Sequence, residues 1–138
     1  MHTNVTGQIV DVWSWGSSAS NPVAHADDRA FAATNLANDT GAAFTSTNLD
    51  GGVPIYMSEY GVNANSPVIY APDSGLHPMA VPFDPAGLDA GARIPRVVHQ
   101  LPSGSRADVH AVGQWRNGKW TVELSRARVT SDATDVQF

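Results

Sequence analysis

VHAVGQWRNGKWTVELSR, residues 109–126, decides the fold. Two alternating segments flank Asn117-Gly118, and Asn-Gly between such segments is the strongest short hairpin signal. A type I′ turn needs positive φ at both central positions, which Asn and Gly tolerate. With these two residues as the loop, Arg116 faces Lys119, Trp115 faces Trp120, Gly113 faces Val122, Ala111 faces Leu124 and Val109 faces Arg126. One face is then apolar: Val109, Ala111, Gly113, Trp115, Trp120, Val122 and Leu124. The other carries His110, Gln114, Arg116, Lys119, Thr121, Glu123 and Ser125, with Val112 its only apolar member. A slip of one residue would mix the faces, so the register is well specified. The reading places the Trp pair on the core face, where cross-strand aromatics add about 0.5–1 kcal/mol beyond burial.

The rest of the chain reads mostly as strand and loop. Residues 8–15 (QIVDVWSW) alternate, with Asp11, Trp13 and Trp15 on one face and Val10 and Val12 on the other. Residues 17–22 are turn-rich, and residues 27–36 suggest a short helical turn. Residues 38–52, rich in Asn, Asp, Thr, Ser and Gly, read as loop. A short apolar run, residues 53–56, ends at Met57. Residues 66–78 read as loop with a brief extended piece, and residues 85–90 as one helical turn. Residues 93–100 read as a strand, with Pro95 placing it at an edge or a strand start. Short strands, many Gly and Pro and no long amphipathic helix predict a mainly β, sandwich-like architecture with long loops.

Composition narrows function. At 138 residues the chain is one domain or less. A net charge of −5 with scattered Arg provides no basic stripe for nucleic acid. No apolar run approaches the roughly 20 residues of a membrane-spanning helix. The opening MHTNVTGQ has neither the charged nor the apolar region of a signal peptide. The absence of cysteine excludes disulfides, thiolate metal sites, iron–sulfur clusters and covalent haem attachment through CxxCH. No GxSxG, P-loop, HExxH or GxGxxG is present, and His2, His25, His77, His99 and His110 are dispersed. The cluster of His25 with Asp27 and Asp28 reads as loop polarity. By residue chemistry alone, Met57 and Met79 read as core filler, the usual role of Met.

Several blocks in a fixed order carry a family resemblance. They are VDVWSW (10–15), PVAHADD (22–28), GVPIYM (52–57), VPFD (81–84), ARIP (92–95), GSRADV (104–109), WRNGKW (115–120), ELSR (123–126) and DVQF (135–138). In this order the chain resembles the haem-binding domain of the ethylbenzene dehydrogenase gamma subunit family, found also in dimethylsulfide dehydrogenase, chlorate reductase and related cytochromes. The resemblance spans nearly the whole chain. It implies a single haem-binding-like β domain over residues 1–138, with a carbohydrate-binding-module-like sandwich. That domain would lack the N-terminal strands and the final C-terminal strand seen in the family. It differs in having Gly16 where the family has Lys and Arg128 where an apolar residue is usual.

The resemblance further implies a non-covalent b-type haem, its iron held by two axial protein ligands, in a non-catalytic electron-transfer subunit. In the family the ligands are a Met and, commonly, a Lys. Met57 matches the Met, since it ends the GVPIYM segment. His99 is taken as the second ligand, with His77, His110 and Met79 standing behind this pair. Imidazole is a good iron ligand. Arg93, Arg96 and Arg106 become candidate partners of the haem propionates, whose carboxylates suit the guanidinium fork. The implied partners are molybdenum-enzyme-type catalytic and iron–sulfur subunits or another redox protein, and the implied location is periplasmic or otherwise outside the cytoplasm. Two other functions remain open. One is a haem-free β-sandwich interaction module. The other is a carbohydrate-binding module, which would use coplanar, exposed rings, with Trp13 and Trp15 as the first candidates.

Overall fold

The computed structural model describes residues 8–32, 34–61, 68–88 and 90–138. His2, the start of the loop expected at 66–78 and position 89 of the helical turn expected at 85–90 lie outside the described residues. The chain is mainly β, consistent with a sandwich-like fold. It divides into two compact units, residues 1–44 with 102–138, and residues 45–101.

The first unit holds β1 (Ile9–Ser14), β2 (Asp27–Ala32), β3 (Asn35–Asn38) and the closing hairpin. β1, β2 and β3 pair antiparallel in that order. The helical turn expected over 27–36 is therefore a strand pair instead. Phe31 is buried while its neighbour Ala32 is exposed, which is the inside–outside alternation of a strand. A 3₁₀ turn, Asn21–Val23, connects β1 to β2.

The second unit contains six short strands, β4 (Thr45–Thr47), β5 (Leu49–Asp50), β6 (Val53–Pro54), β7 (Tyr56–Ser58), β8 (Ala80–Pro82) and β9 (Val97–His99). The loop expected over 38–52 thus ends in two short strands. β4 pairs with β9, β5 with β6 and β7 with β8, all antiparallel. Tyr70 forms bridges with both Met79 and His99, so its segment runs between β8 and β9. Ile69, Ala80 and Val98 form this unit's core, with Tyr56 and Ala71 packed on it. The strand expected over 93–100 shortens to β9, and a 3₁₀ turn, Pro85–Gly87, falls where one was expected.

The hairpin consists of β10 (His110–Arg116) and β11 (Lys119–Ser125). Its register is the expected one, from Arg116 opposite Lys119 to Ala111 opposite Leu124. Asn117 and Gly118 take φ of 52° and 76°, as a type I′ turn requires. One expectation fails: Trp115 is 56% exposed and Trp120 44% exposed. Burial fades along β10 toward the turn. Val109 and Ala111 pack with Ala26, and the backbone there is bonded to residues 24–26 (Ala26 N–H to the Val109 carbonyl, 2.9 Å; Ala111 N–H to the Ala24 carbonyl, 3.0 Å). That segment ends before the Trp pair is reached. Trp15 covers Gly113 instead; a Cβ there would sit 2.1 Å from its Cζ2. Trp15 meets Trp120 edge-on, 5.1 Å between ring centroids.

Candidate functional site

The most heavily buried chemistry of the first unit gathers around Arg126. Counting back from the turn, Arg126 continues the apolar face of β11, a position that normally takes a hydrophobic side chain. Its side chain is 1% exposed and must therefore find anions. Nη1 donates to Asp11 Oδ2 at 2.5 Å and to Asp28 Oδ2 at 3.2 Å, and lies 3.5 Å from Asp135 Oδ1. Nη2 donates to the Val136 carbonyl at 2.7 Å. The guanidinium lies over the rings of Trp13, at 5.2 Å, and Phe138, at 5.6 Å.

Strand parity explains the convergence. Asp28 is opposite Trp13 in the β1–β2 ladder, and Asp11 lies two residues from Trp13 on β1, so all three side chains share a face. Asp28 is fully buried. Burial, reinforced by its hydrogen bond and charge repulsion with Asp11, raises its pKa from 3.8 to about 7. For Arg126, burial works against the charge, but the Asp11 and Asp28 bonds outweigh it and hold the pKa above its usual value. The three carboxylates lie close enough to hold a cation, but the position such an ion would take is filled by the guanidinium.

A second ion pair lies in the same unit. Arg106 grips Asp27 with both arms of its fork, Nε to Oδ1 at 2.7 Å and Nη2 to Oδ2 at 2.8 Å. Its guanidinium also lies over Phe44. The fork that the sequence assigned to a propionate is thus engaged within the unit. These contacts show where the recurring sequence blocks go. VDVWSW supplies Asp11 and Trp13, PVAHADD supplies Asp27 and Asp28, GSRADV supplies Arg106, ELSR supplies Arg126, and DVQF supplies Asp135 and Phe138. Five blocks meet at two guanidinium groups. Sequence reasoning missed this, although one signal was available: an Arg at a core-facing strand position, in a chain with an Asp on an otherwise aromatic strand face.

The second unit holds the candidate ligands. Met57 is opposite Val81, and Val81 is two residues from Met79. Met79 and His99 flank Tyr70. By parity, Met57, Val81, Met79, Tyr70 and His99 share one face, opposite the Ile69–Ala80–Val98 core. Met57 stands three strand spacings from His99, and Met79 two. His99 is buried, with its ring centroid 6.0 Å from that of Tyr70. Its backbone N–H donates to the Ile69 carbonyl at 2.8 Å, and its carbonyl accepts from Ala71 N–H at 2.7 Å. The Met57 thioether accepts a hydrogen bond from Asp84 N–H at 3.4 Å, which uses one of its two lone pairs. Fully buried Asn48 ties these strands together. Its side chain donates to the Tyr56 and Pro95 carbonyls and accepts from Tyr56 N–H.

His77 is exposed, with Nδ1 2.6 Å from Glu59 Oε1. The Met79 amide and the His77 contact hold the Glu59 carboxyl below its usual value. His110 belongs to the first unit and is exposed; its ring lies 4.7 Å from that of His25. Arg93 and Arg96 are exposed in the second unit, on the approach to β9. Trp120 is coplanar with neither of the two rings it meets, since Trp115 and Trp120 meet at 51° and Trp15 and Trp120 at 67°. A flat sugar-stacking platform is not what these three rings form.

A protein-family model described as Ethylbenzene dehydrogenase matches residues 2–138, and the chain belongs to that family. Membership places it with the subunits of larger oxidoreductases. No curated protein matches the chain, and no solved structure does. Among the described residues, no helix is long and apolar enough to cross a membrane.

Proposed function

We propose that this chain is an electron-transfer domain holding one non-covalent b-type haem, with Met57 and His99 as the axial ligands. The observation that carries this reading is their placement on a single sheet face within one compact unit. The donor set suits the group, since a soft thioether and an imidazole both favour haem iron. Bound haem would supply one-electron redox chemistry. The chain's own part is to present and fix the donors. Asp84 N–H orients the Met57 sulfur while leaving it a lone pair. The ladder on both sides of His99 fixes where its imidazole starts. Among the described residues Arg93 and Arg96 form no ion pair, and they would meet the propionates; Arg106, committed to Asp27, is not needed for that role. Two protein donors would leave the iron no position for oxygen or substrate, which suits a non-catalytic, electron-transfer role for the chain. Its partners are then a molybdenum-enzyme-type catalytic subunit with iron–sulfur centres, or another redox protein, outside the cytoplasm.

The test is expression with haem available, followed by absorption spectroscopy of the purified protein. The expected result is a six-coordinate spectrum with sharp reduced-state bands. Met57→Ala and His99→Ala would each abolish it, while His77→Ala and Met79→Ala would leave it unchanged. A folded protein that takes up no haem, or a Met57→Ala spectrum identical to the parent, would overturn the reading.

A further inference from the structure

Among the described residues, the β10 edge of the hairpin is covered in part and the β11 edge is not. In a two-residue hairpin the residues flanking the loop exchange backbone hydrogen bonds, and pairs alternate from there. Arg116–Lys119, Gln114–Thr121, Val112–Glu123 and His110–Ser125 are therefore the bonded pairs. The residues between them turn their N–H and C=O groups outward. On β10 part of this edge is taken, the Val109 carbonyl and Ala111 N–H by residues 24–26 and Gly113 N–H by Asn21 Oδ1 at 2.7 Å. On β11 the outward groups within the strand belong to Trp120, Val122 and Leu124. Among the described residues, none of them has a backbone partner. The side chains of the same three residues form the apolar face, and Trp120 and Leu124 are exposed. An edge that is open in its backbone and apolar along one face is a template for another strand.

We propose that β11 pairs antiparallel with β11 of a second copy of this chain, about a two-fold axis at Val122. Within Lys119–Ser125 the strand is self-complementary in that register. Val122 faces its own copy, and Trp120 faces Leu124 in both directions. All three outward residues of each strand then exchange bonds, whereas a shift by two residues leaves one on each strand without such a partner. The apolar face gains Trp120 against Leu124 across the axis. On the polar face Lys119 lies diagonal to Glu123 of the other copy, within reach of long side chains, and symmetry makes this ion pair twice. The two-fold makes the contact closed and isologous.

The experiment is a sedimentation-velocity concentration series on the intact chain, with residue-resolved amide exchange at each concentration. A concentration-dependent dimer is expected. Protection should rise at the Trp120, Val122 and Leu124 amides, while the amides of Lys119, Thr121 and Glu123, already bonded within the hairpin, stay unchanged. Glu123→Lys brings four cations together across the axis and weakens the dimer roughly tenfold or more; adding Lys119→Glu restores it. Val122→Pro removes an outward N–H that the hairpin does not use, so it abolishes the dimer while circular dichroism shows the fold retained. A monomer at every concentration, a dimer that survives both Glu123→Lys and Val122→Pro, or unchanged protection at 120, 122 and 124 would refute the proposal.

Discussion

Asp28→Asn tests the buried charge cluster. Asp28 is fully buried, and its pKa rises from an ordinary 3.8 to about 7, first through burial and then through Asp11. Between those two pH values the folded state binds a proton that the unfolded state has released. The stability contributed by this group is fully present below about pH 4 and is lost as pH rises through 7. The slope is at most about 1.4 kcal/mol per pH unit, which bounds the loss at about 4 kcal/mol by pH 8. An Asn cannot ionise, so it removes that loss. It retains an oxygen to accept the Arg29 N–H, 3.1 Å from Asp28 Oδ1. It gives up the longer Arg126 bond, worth about 1.5–3 kcal/mol when charged. The net effect should be destabilisation of about 1 kcal/mol or more at pH 4 and a gain of about 1–2 kcal/mol at pH 8. Urea denaturation at pH 4, 5, 6, 7 and 8 measures both. The two stability curves should cross between pH 5 and 7. A difference between parent and variant that stays constant across the series would refute the argument, because it would mean that Asp28 is not the group titrating.

Other perturbations separate the remaining elements. Arg126→Met keeps the volume but leaves three clustered carboxylates without their cation, and should cost about 3–5 kcal/mol at pH 7 in urea denaturation; a loss under about 1 kcal/mol would show the cluster to be unimportant. Gly113→Ala drives a methyl into the Trp15 ring and should cost about 1–3 kcal/mol with a shift in tryptophan emission; an unchanged spectrum would be inconsistent with the packing described. Asn48→Ala leaves the Tyr56 and Pro95 backbone groups without a buried partner. It should destabilise residues 45–101 by about 2–4 kcal/mol, seen as faster amide exchange at Met57, and equal exchange rates would argue against its role as the tie between these strands.

The hairpin was legible because its determinants are local. Asn117-Gly118 sets the turn, and alternation on each side sets the register, so residues no more than nine apart from the loop suffice. The Trp pair was misplaced for a related reason. Periodicity tells which residues share a face but not how far along the strand the covering layer extends, and here the layer from residues 24–26 stops at Gly113. The strands at 27–38 were obscured by small and polar residues, whose weak local preference yields to pairing with β1. Among the candidate ligands, parity brings Met57 and His99 to one face, while His110 falls in the other unit and Arg106 is held by Asp27.

By itself the sequence determined the β character of the chain, the hairpin and its register, and, through the order of its blocks, membership in the ethylbenzene dehydrogenase family. Only the tertiary structure decided what most of those blocks do. Asp11 and Arg126 are 115 residues apart and Asp28 and Arg126 98; no local pattern links them. An arginine on an apolar strand face carries a desolvation penalty that must be offset by anions drawn from wherever the fold brings them. That requirement is a property of burial, which a sequence does not state until the chain is folded.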